Sequence, residues 1–183
     1  MSSDLVYIIQ TVKGSNYGYR YSQKLKKLYL KRISDTTFPS TYGRILKLTE
    51  NQQIDPDQGK QEQEDFYLIS DRQFHPDIAI LQDQTVNLGK FVCLDQRTNK
   101  KDDKHVIALK DEMKRWLTHK IVTELDAIRI FLITLRGSFK VVGFEPGLDC
   151  PKSVIDLYKK IDWQTQTLWP KNLEGSFEKG YSH

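Results

Sequence analysis

The central part of the chain alternates short apolar runs with polar turns, and this pattern constrains the fold more than any other feature of the sequence. The runs that predict strands are residues 42–49, 65–70, 77–82 and 90–95. Polar turns at 71–76 and 83–89 separate the last three runs, as a meander of antiparallel strands requires. The polar segment 50–64 has little to bury and predicts a long loop.

Two segments carry apolar residues at intervals of three and four, which is the spacing of an amphipathic helix. In residues 22–33 Ser22 is a candidate N-cap, and the apolar stripe consists of Leu25, Leu28, Tyr29 and Ile33. In residues 109–125 the stripe consists of Leu109, Met113, Trp116, Leu117, Ile121 and Leu125. The sequence therefore predicts a basic helix before the sheet and a long helix after it.

The C-terminal third predicts two more strands and a closing helix. Residues 127–135 and 139–144 are apolar and β-branched, and Arg136-Gly137-Ser138 between them suits a tight hairpin because glycine can adopt a positive φ. Pro151 suits the first turn of a helix, whose apolar stripe would be Val154, Leu157, Tyr158 and Ile161.

This order of elements predicts an α+β OB-fold: a five-stranded Greek-key barrel with a helix between strands 3 and 4 and a C-terminal helix. One strand is in excess, so either residues 65–70 prolong the first strand or residues 90–95 lie outside the barrel. We expect an N-terminal basic helical extension at 1–40, the OB-fold with its closing helix at 41–162, and a tail at 163–183.

Composition excludes several classes of protein. With 28 Lys and Arg against 24 Asp and Glu, the net charge of +4 permits nucleic-acid contact without demanding it. Two cysteines without CxxC spacing and four histidines without HxxxH spacing predict neither a disulfide framework nor a metal site. No GxSxG elbow or P-loop is present, and no run is long enough to span a membrane. We therefore expect a soluble intracellular protein without a cofactor.

Several short stretches are similar to the Stn-type subunit of the CST telomere complex. Lys27-Leu28-Tyr29-Leu30-Lys31-Arg32-Ile33 resembles the stretch that precedes the barrel in that family, and residues 43–48 resemble its first strand. Ile128-Arg129-Ile130, leading through Gly137 to Val141-Val142, resembles its fourth and fifth strands. Leu157-Tyr158 falls in a matching closing helix, whereas the family's Asp-Asp-Gly-Thr-Gly turn is absent.

The resemblance implies a non-catalytic scaffold subunit that acts in the nucleus at telomeres. Its implied partners are a Ten-type small OB-fold subunit, a larger CST subunit, telomerase, polymerase α-primase and single-stranded telomeric DNA. The implied roles are C-strand synthesis, telomerase association and a weak contribution to DNA binding. A telomerase-recruiting OB-fold like the TPP subunit of shelterin is an alternative within the same class.

The closing helix is the expected partner-binding element, because OB-fold subunits of the CST and replication protein A type pair through such helices. The expected contacts are Val154, Leu157, Tyr158 and Ile161. Packing of the same stripe on the chain's own barrel is the alternative.

Candidate DNA contacts follow from the groove that an OB-fold forms with its second and third strands. They are Tyr67, Arg72, Phe74, His75 and Lys90. An ordinary turn at this place is the alternative. The basic N-terminal region could add phosphate contacts, and here a solvated helix face is the alternative.

A second function class is a magnesium-dependent nuclease that would use Asp77 and Asp95. Pro76-Asp77 and Asp95-Gln96-Arg97 imitate a Pro-Asp and Asp/Glu-x-Lys signature, in which two carboxylates hold magnesium. The third position is Arg97, which stays protonated and cannot act as a base. Exposed turn residues are the alternative interpretation of both aspartates.

Overall fold

The computed structural model describes residues 4–22, 24–55, 64–135 and 139–163. The strands are β1 (Leu5–Thr11), β2 (Tyr17–Ser22), β3 (Lys27–Ile33), β4 (Thr41–Lys47), β5 (Asp65–Ile69), β6 (Ala79–Leu81), β7 (Thr85–Asp95), β8 (Lys100–Lys101), β9 (Lys104–Leu109) and β10 (Phe139–Pro146). The α-helices of the described part are α1 (Lys110–Met113), α2 (Thr118–Ile130) and α3 (Lys152–Tyr158).

Eight strands form one mixed sheet, and β2 and β3 form a separate hairpin. The strand order of the sheet is β10-β7-β9-β5-β4-β1-β6, with β8 paired to β7. The pair β5–β9 is parallel, and the other pairs in the described chain are antiparallel. The protein is therefore a mostly-sheet, OB-like fold with a few helices. The predicted closed five-stranded barrel is not confirmed, because in the described residues the strand path stays open.

The predicted helix at residues 22–33 is wrong, since this segment belongs to the β2–β3 hairpin. Tyr21 pairs with Leu28 and Ser22 with Lys27, and Lys26 turns the chain with φ 49°. The tyrosines at 17, 19 and 21 alternate with other residues, which is the period of a strand. Aromatic residues also favour strands, and this preference prevails over the helical spacing of the leucines.

The predicted strand at residues 127–135 is also wrong. Helix α2 continues to Ile130 and ends in a π-helical turn, Phe131–Leu135. Buried residues at helical intervals, Ile121, Leu125, Ile128 and Leu132, explain why this β-branched run is helical. The expected hairpin is therefore not formed by two strands, and its turn at 136–138 lies outside the described residues.

The long helix predicted at 109–125 starts too early. Leu109 is the last residue of β9, a strand that the sequence did not predict, and α2 begins only at Thr118. The predicted strands at 42–49, 65–70 and 139–144 correspond to β4, β5 and β10, and 90–95 is the second half of β7. The predicted turn at 83–89 is wrong from Thr85 onward, where β7 begins. The run at 77–82 contains β6, and α3 lies where the closing helix was predicted. The domain boundaries at 40 and 162 stay a prediction.

The core lies on both faces of the sheet, because strand alternation places the cluster of Tyr7, Ile45, Phe66 and Leu68 on the face opposite Val6, Ile8 and Leu46. The largest cluster packs α2, α3 and the π-helical turn against β5, β7, β9 and β10. On another part of the sheet, Val6, Ile8 and Leu46 form a small cluster against which Tyr21 of the hairpin packs. This contact holds the hairpin beside the β1–β4 face. Among the described helices, none is long and apolar enough to cross a membrane.

Candidate functional site

A pocket of about 210 Å³ lies where the β2–β3 hairpin meets the sheet. Its lining combines six basic side chains with two carboxylates. The basic residues are Arg20, Lys31, Arg32, Arg44, Arg97 and Lys104, and the carboxylates are Asp65 and Asp102. The remaining lining residues are Gln10, Thr11, Gly18, Tyr19, Phe38, Tyr42 and Phe139. The formal charge of the lining is therefore strongly positive.

Strand register places three charged residues in one row across the floor of this pocket. Arg44 on β4 is the direct partner of Asp65 on β5, and Asp65 is the direct partner of Lys104 on β9. Partners in neighbouring strands point to the same face. Lys104 Nζ lies 2.8 Å from Asp65 Oδ2, and Arg44 Nε lies 3.6 Å from Asp65 Oδ1. The sheet thus presents a plus-minus-plus row.

Lys104 is the buried centre of the charge cluster. It is 4% exposed, and its Nζ also donates a hydrogen bond to Asp102 Oδ1 at 2.9 Å. Burial favours a lower pKa for this ammonium, but Asp65 and Asp102 outweigh burial and raise the pKa of Lys104. Burial likewise favours a higher pKa for Asp65, yet Lys104 and Arg44 hold the pKa of this carboxyl below its usual value. Both groups therefore stay charged at neutral pH.

Gln10 contributes a buried amide that lacks a partner within the described residues. It is 3% exposed and lines the pocket, and its Nε2 donates a hydrogen bond to no atom of the described residues. Leaving a buried donor unpaired costs about 1–3 kcal/mol. An oxygen-rich ligand in the pocket would remove this cost by accepting a hydrogen bond from Gln10.

The hairpin and one turn supply the cations at the mouth of the pocket. Arg20 on β2 and Lys31 and Arg32 on β3 are exposed residues that reach the pocket from the hairpin side. Arg97 follows β7 and donates to Asp95 at 3.3 Å through both Nε and Nη2. These long side chains keep their charged ends in water and lend the opening a positive field.

A larger depression of about 480 Å³ adjoins this pocket and shares Asp102 with it. Its charges are paired with one another: Lys90 and Lys101 both lie 3.2 Å from Asp103 Oδ2. Lys90 is also 3.4 Å from Glu145. Because its lining has three lysines against four carboxylates, this depression offers less attraction to an anion than the smaller pocket does.

The carboxylates do not form a metal site in the described part of the chain. There, no three His, Cys, Asp or Glu side chains converge closely enough to hold an ion. The two carboxylates of the pocket, Asp65 and Asp102, are both bound to Lys104. The arrangement is therefore suited to binding an anion through protein cations.

The structure places the predicted DNA contacts at separate locations. Tyr67 is fully buried in the core, with its ring centroid 5.1 Å from that of Tyr42. Arg72 pairs with Asp111, and together with Phe74 it lines another depression. His75 is exposed in the 71–76 turn, and Lys90 lies in the larger depression. A role for these five residues in DNA binding stays a prediction.

The closing helix packs on its own sheet. Val154 and Tyr158 are buried in the main core, and Leu157 and Ile161 are partly buried against it. The Tyr158 hydroxyl donates to Asp126 Oδ1 at 3.0 Å. A role for this stripe in partner binding stays a prediction.

The nuclease alternative is not supported. Asp77 precedes β6, whereas Asp95 ends β7, and β9, β5, β4 and β1 lie between these strands in the sheet order. Asp95 is bound by Arg97, first through the side chain and also through the backbone N–H, and these hydrogen bonds hold the pKa of its carboxyl below the usual value. The two carboxylates therefore sit in different surroundings.

Sequence reasoning did not single out Gln10, Arg44, Asp65 or Lys104. A signal was present, because Asp65 and Lys104 each begin a strand whose following residues are almost entirely buried. A charged residue at the start of such a run can face a pocket. Finding the pair, however, needed the parallel alignment of β5 with β9, and β9 itself was not predicted.

Comparison with solved structures identifies the fold. The inorganic pyrophosphatase of Thermus thermophilus matches with a TM-score of 0.59 at 17% identity over 84% of this chain and 86% of that one. That of Helicobacter pylori matches with a TM-score of 0.57 at 20% identity over 86% and 91%. A vacuolar soluble pyrophosphatase of Trypanosoma cruzi in complex with PPi matches with a TM-score of 0.51 at 13% identity over 85% and 68%.

Neither a protein-family model nor a curated protein matches the sequence. At the identities above, the structural likeness shows the fold alone: the chain has the fold of inorganic pyrophosphatases.

This likeness overturns the telomere interpretation. The matched structures are pyrophosphatases, so the resemblance to a Stn-type CST subunit is wrong. The scaffold function and the TPP-like alternative are wrong with it, as are the CST, telomerase, polymerase and single-stranded telomeric DNA partners. The expectation of a non-catalytic module is wrong for the same reason, because the proteins that share this fold are enzymes. The short stretches that resembled the CST subunit are not specific to it, because helix and strand patterns of five or six residues recur in many β-rich folds. Nuclear localisation stays a prediction.

Proposed function

We propose that this protein binds pyrophosphate in the pocket between the β2–β3 hairpin and the sheet. The single observation that carries the proposal is the lining itself, in which six basic side chains and a buried, unpaired amide surround a space of about 210 Å³. The fold is shared with proteins whose names state that they act on pyrophosphate, and one of them was solved with PPi.

The size and charge of the pocket favour a small polyanion. Pockets for drug-sized ligands occupy roughly 300–1,000 Å³, so this pocket suits a smaller ligand. Phosphate oxygens accept hydrogen bonds from lysine and arginine, and such charge-assisted bonds are stronger than neutral ones. The amide of Gln10 would add one neutral donor from β1.

Hydrolysis of the bound pyrophosphate is the second candidate function, and the fold likeness to pyrophosphatases favours it. In that reaction water attacks one phosphorus, and the other phosphate leaves with the bridging oxygen. Basic side chains such as Arg32 and Lys31 would stabilise the negative charge that develops on the leaving group. Divalent cations often assist phosphoryl transfer. The carboxylates of this pocket do not fit a resident ion, so no step of the proposal uses one.

The deciding experiment compares two lysines on the same strand. Lys31 lines the pocket, whereas Lys27, on the same strand, does not, and both are exposed. In isothermal titration calorimetry with sodium pyrophosphate, Lys31→Gln should weaken binding by about tenfold, since a hydrogen bond to a charged group contributes about 1.5–3 kcal/mol. Lys27→Gln should bind like the unmodified protein.

Equal weakening by both substitutions would show that only the net charge of the hairpin matters, and it would contradict the proposed site. Orthophosphate release, measured on the same samples, separates binding from hydrolysis. If the unmodified protein shows no heat of binding with pyrophosphate either with or without MgCl₂, the proposal fails.

The narrower prediction of a closed Greek-key barrel plays no part in this proposal. The pocket requires only the open sheet and the hairpin beside it.

A further inference from the structure

We infer that the pocket binds free pyrophosphate rather than its magnesium complex, because Lys104 holds the place between two carboxylates that a divalent cation would otherwise take. This inference rests on the proposed function and specifies the form of its ligand. The geometry that carries it is the pair of short contacts from Lys104 Nζ, 2.8 Å to Asp65 and 2.9 Å to Asp102.

Magnesium is usually held by one or two carboxylates together with phosphate oxygens of the substrate. Asp65 and Asp102 are the two carboxylates that line the pocket, and both are engaged by the same buried ammonium. Arg44 adds a second cation beside Asp65. Lys104 and Arg44 with Asp65 and Asp102 therefore form a cluster of zero net charge. Such a cluster attracts a divalent cation only weakly.

The neighbouring carboxylates are also paired with basic side chains of the protein. Asp95 is bound by Arg97, and Asp103 by Lys90 and Lys101. A metal that bound Asp65 Oδ2 would displace Lys104 from a site where it is almost fully buried, and an uncompensated buried charge is costly. The Lys104 ammonium thus supplies the positive charge that a metal ion would otherwise bring to Asp65 and Asp102.

The cations at the mouth of the pocket contribute the attraction for the anion. Arg20, Lys31 and Arg32 face the ligand from the hairpin. They attract free pyrophosphate more strongly than its magnesium complex, because the complex has two fewer negative charges. Magnesium in solution should therefore compete with the protein for the ligand.

The first test is calorimetric titration of the full chain with sodium pyrophosphate, in buffer with EDTA and in buffer with a large excess of MgCl₂. We expect severalfold tighter binding in EDTA than in MgCl₂, and equal affinity in the two buffers would contradict the inference. Binding that requires MgCl₂ would overturn the inference while leaving the proposed function intact. Absence of binding in both buffers would overturn the proposed function and this inference together.

A second test uses Lys104→Met, which removes the ammonium but keeps a long side chain. If Lys104 replaces a metal, the melting temperature of Lys104→Met should rise on addition of MgCl₂, whereas that of the unmodified protein should not change. Lys101→Met is the matched control, because this lysine is exposed and pairs with Asp103. A magnesium-dependent rise in the unmodified protein would overturn the inference. If Lys104→Met fails to fold, the calorimetric comparison decides.

Discussion

Lys104 and Asp65 are direct partners in the parallel pair β9–β5, and both are buried, with Nζ 2.8 Å from Oδ2. This ion pair belongs both to the sheet and to the pocket. Its removal should therefore change stability as well as ligand binding.

Replacing Asp65 with asparagine should be strongly destabilising. The substitution leaves the Lys104 ammonium buried with Asp102 as its one remaining carboxylate in the described structure. Breaking a buried ion pair by removing one partner typically costs about 3–5 kcal/mol, so we expect a loss of about 3 kcal/mol in urea denaturation. The control is Asp71→Asn, which removes an exposed pair with Lys120 and should cost less than about 1 kcal/mol. If the two substitutions lowered the free energy of unfolding equally, burial would not explain the contribution of the Asp65–Lys104 pair.

Asp126 should make the stability of the protein depend on pH between about 4 and 6. Burial raises the pKa of this carboxyl to about 6, against the opposing effect of Arg129. In this window the folded protein keeps a proton that the unfolded chain has lost, so the free energy of unfolding falls as pH rises. At 1.36 kcal/mol per pKa unit, the decline is up to about 3 kcal/mol.

Urea denaturation at several pH values measures this decline. Asp126→Asn should flatten the dependence, whatever its effect on absolute stability. Asp156→Asn, which alters an exposed carboxyl on α3, should leave the slope unchanged. The same pH dependence in the unmodified protein and in Asp126→Asn would contradict the raised pKa of Asp126.

Gly43 should not tolerate a side chain. A Cβ at this position would lie 1.9 Å from the carbonyl oxygen of Ile8 and 2.9 Å from the ring of Phe66. Forcing extra volume into a packed site costs about 1–3 kcal/mol, and Gly43→Ala should lower the melting temperature accordingly. Gly143 on β10 has nothing within 4 Å of the same position. Gly143→Ala should therefore be neutral or slightly stabilising.

Gln10 should control affinity for the anion through its amide. Gln10→Glu keeps the shape of the side chain but replaces a buried donor with a carboxylate inside a pocket for anions. Like charges in a desolvated site repel strongly, so we expect pyrophosphate affinity to fall by more than about tenfold in calorimetry. Circular dichroism checks that the variant is folded, and undiminished binding by a folded variant would show that Gln10 does not face the ligand.

Local patterns predicted some of the strands but missed others, among them β1 and β9. β4, β5, β7 and β10 were found because compact apolar runs end at polar turns, and α3 because Pro151 and its apolar stripe agree. The hairpin was mistaken for a helix because leucines at helical spacing in 25–33 obscured the alternating tyrosines. Residues 127–135 were mistaken for a strand because β-branched residues there face the core from a helix.

Most residues of the candidate site could not be predicted from the sequence. Its floor joins Arg44, Asp65 and Lys104 from three strands, and their alignment depends on register between segments that are distant in the chain. Val6, Ile8 and Gln10 are alternate residues of β1 and face the same side of the sheet. Val6 and Ile8 lie in a core cluster, whereas Gln10 lines the pocket, because the hairpin covers this side of the sheet.

The parallel pairing of β5 with β9 has a consequence for how the molecule reaches its final form. Asp65 and Lys104 are 39 residues apart, and β6, β7 and β8 lie between them in the chain. Distant pairings of this kind are formed late and slowly, because the loop between them must first be closed. Pyrophosphate added during refolding should therefore bind only in the last kinetic phase. The rate at which binding appears would then report the rate at which β5 and β9 pair.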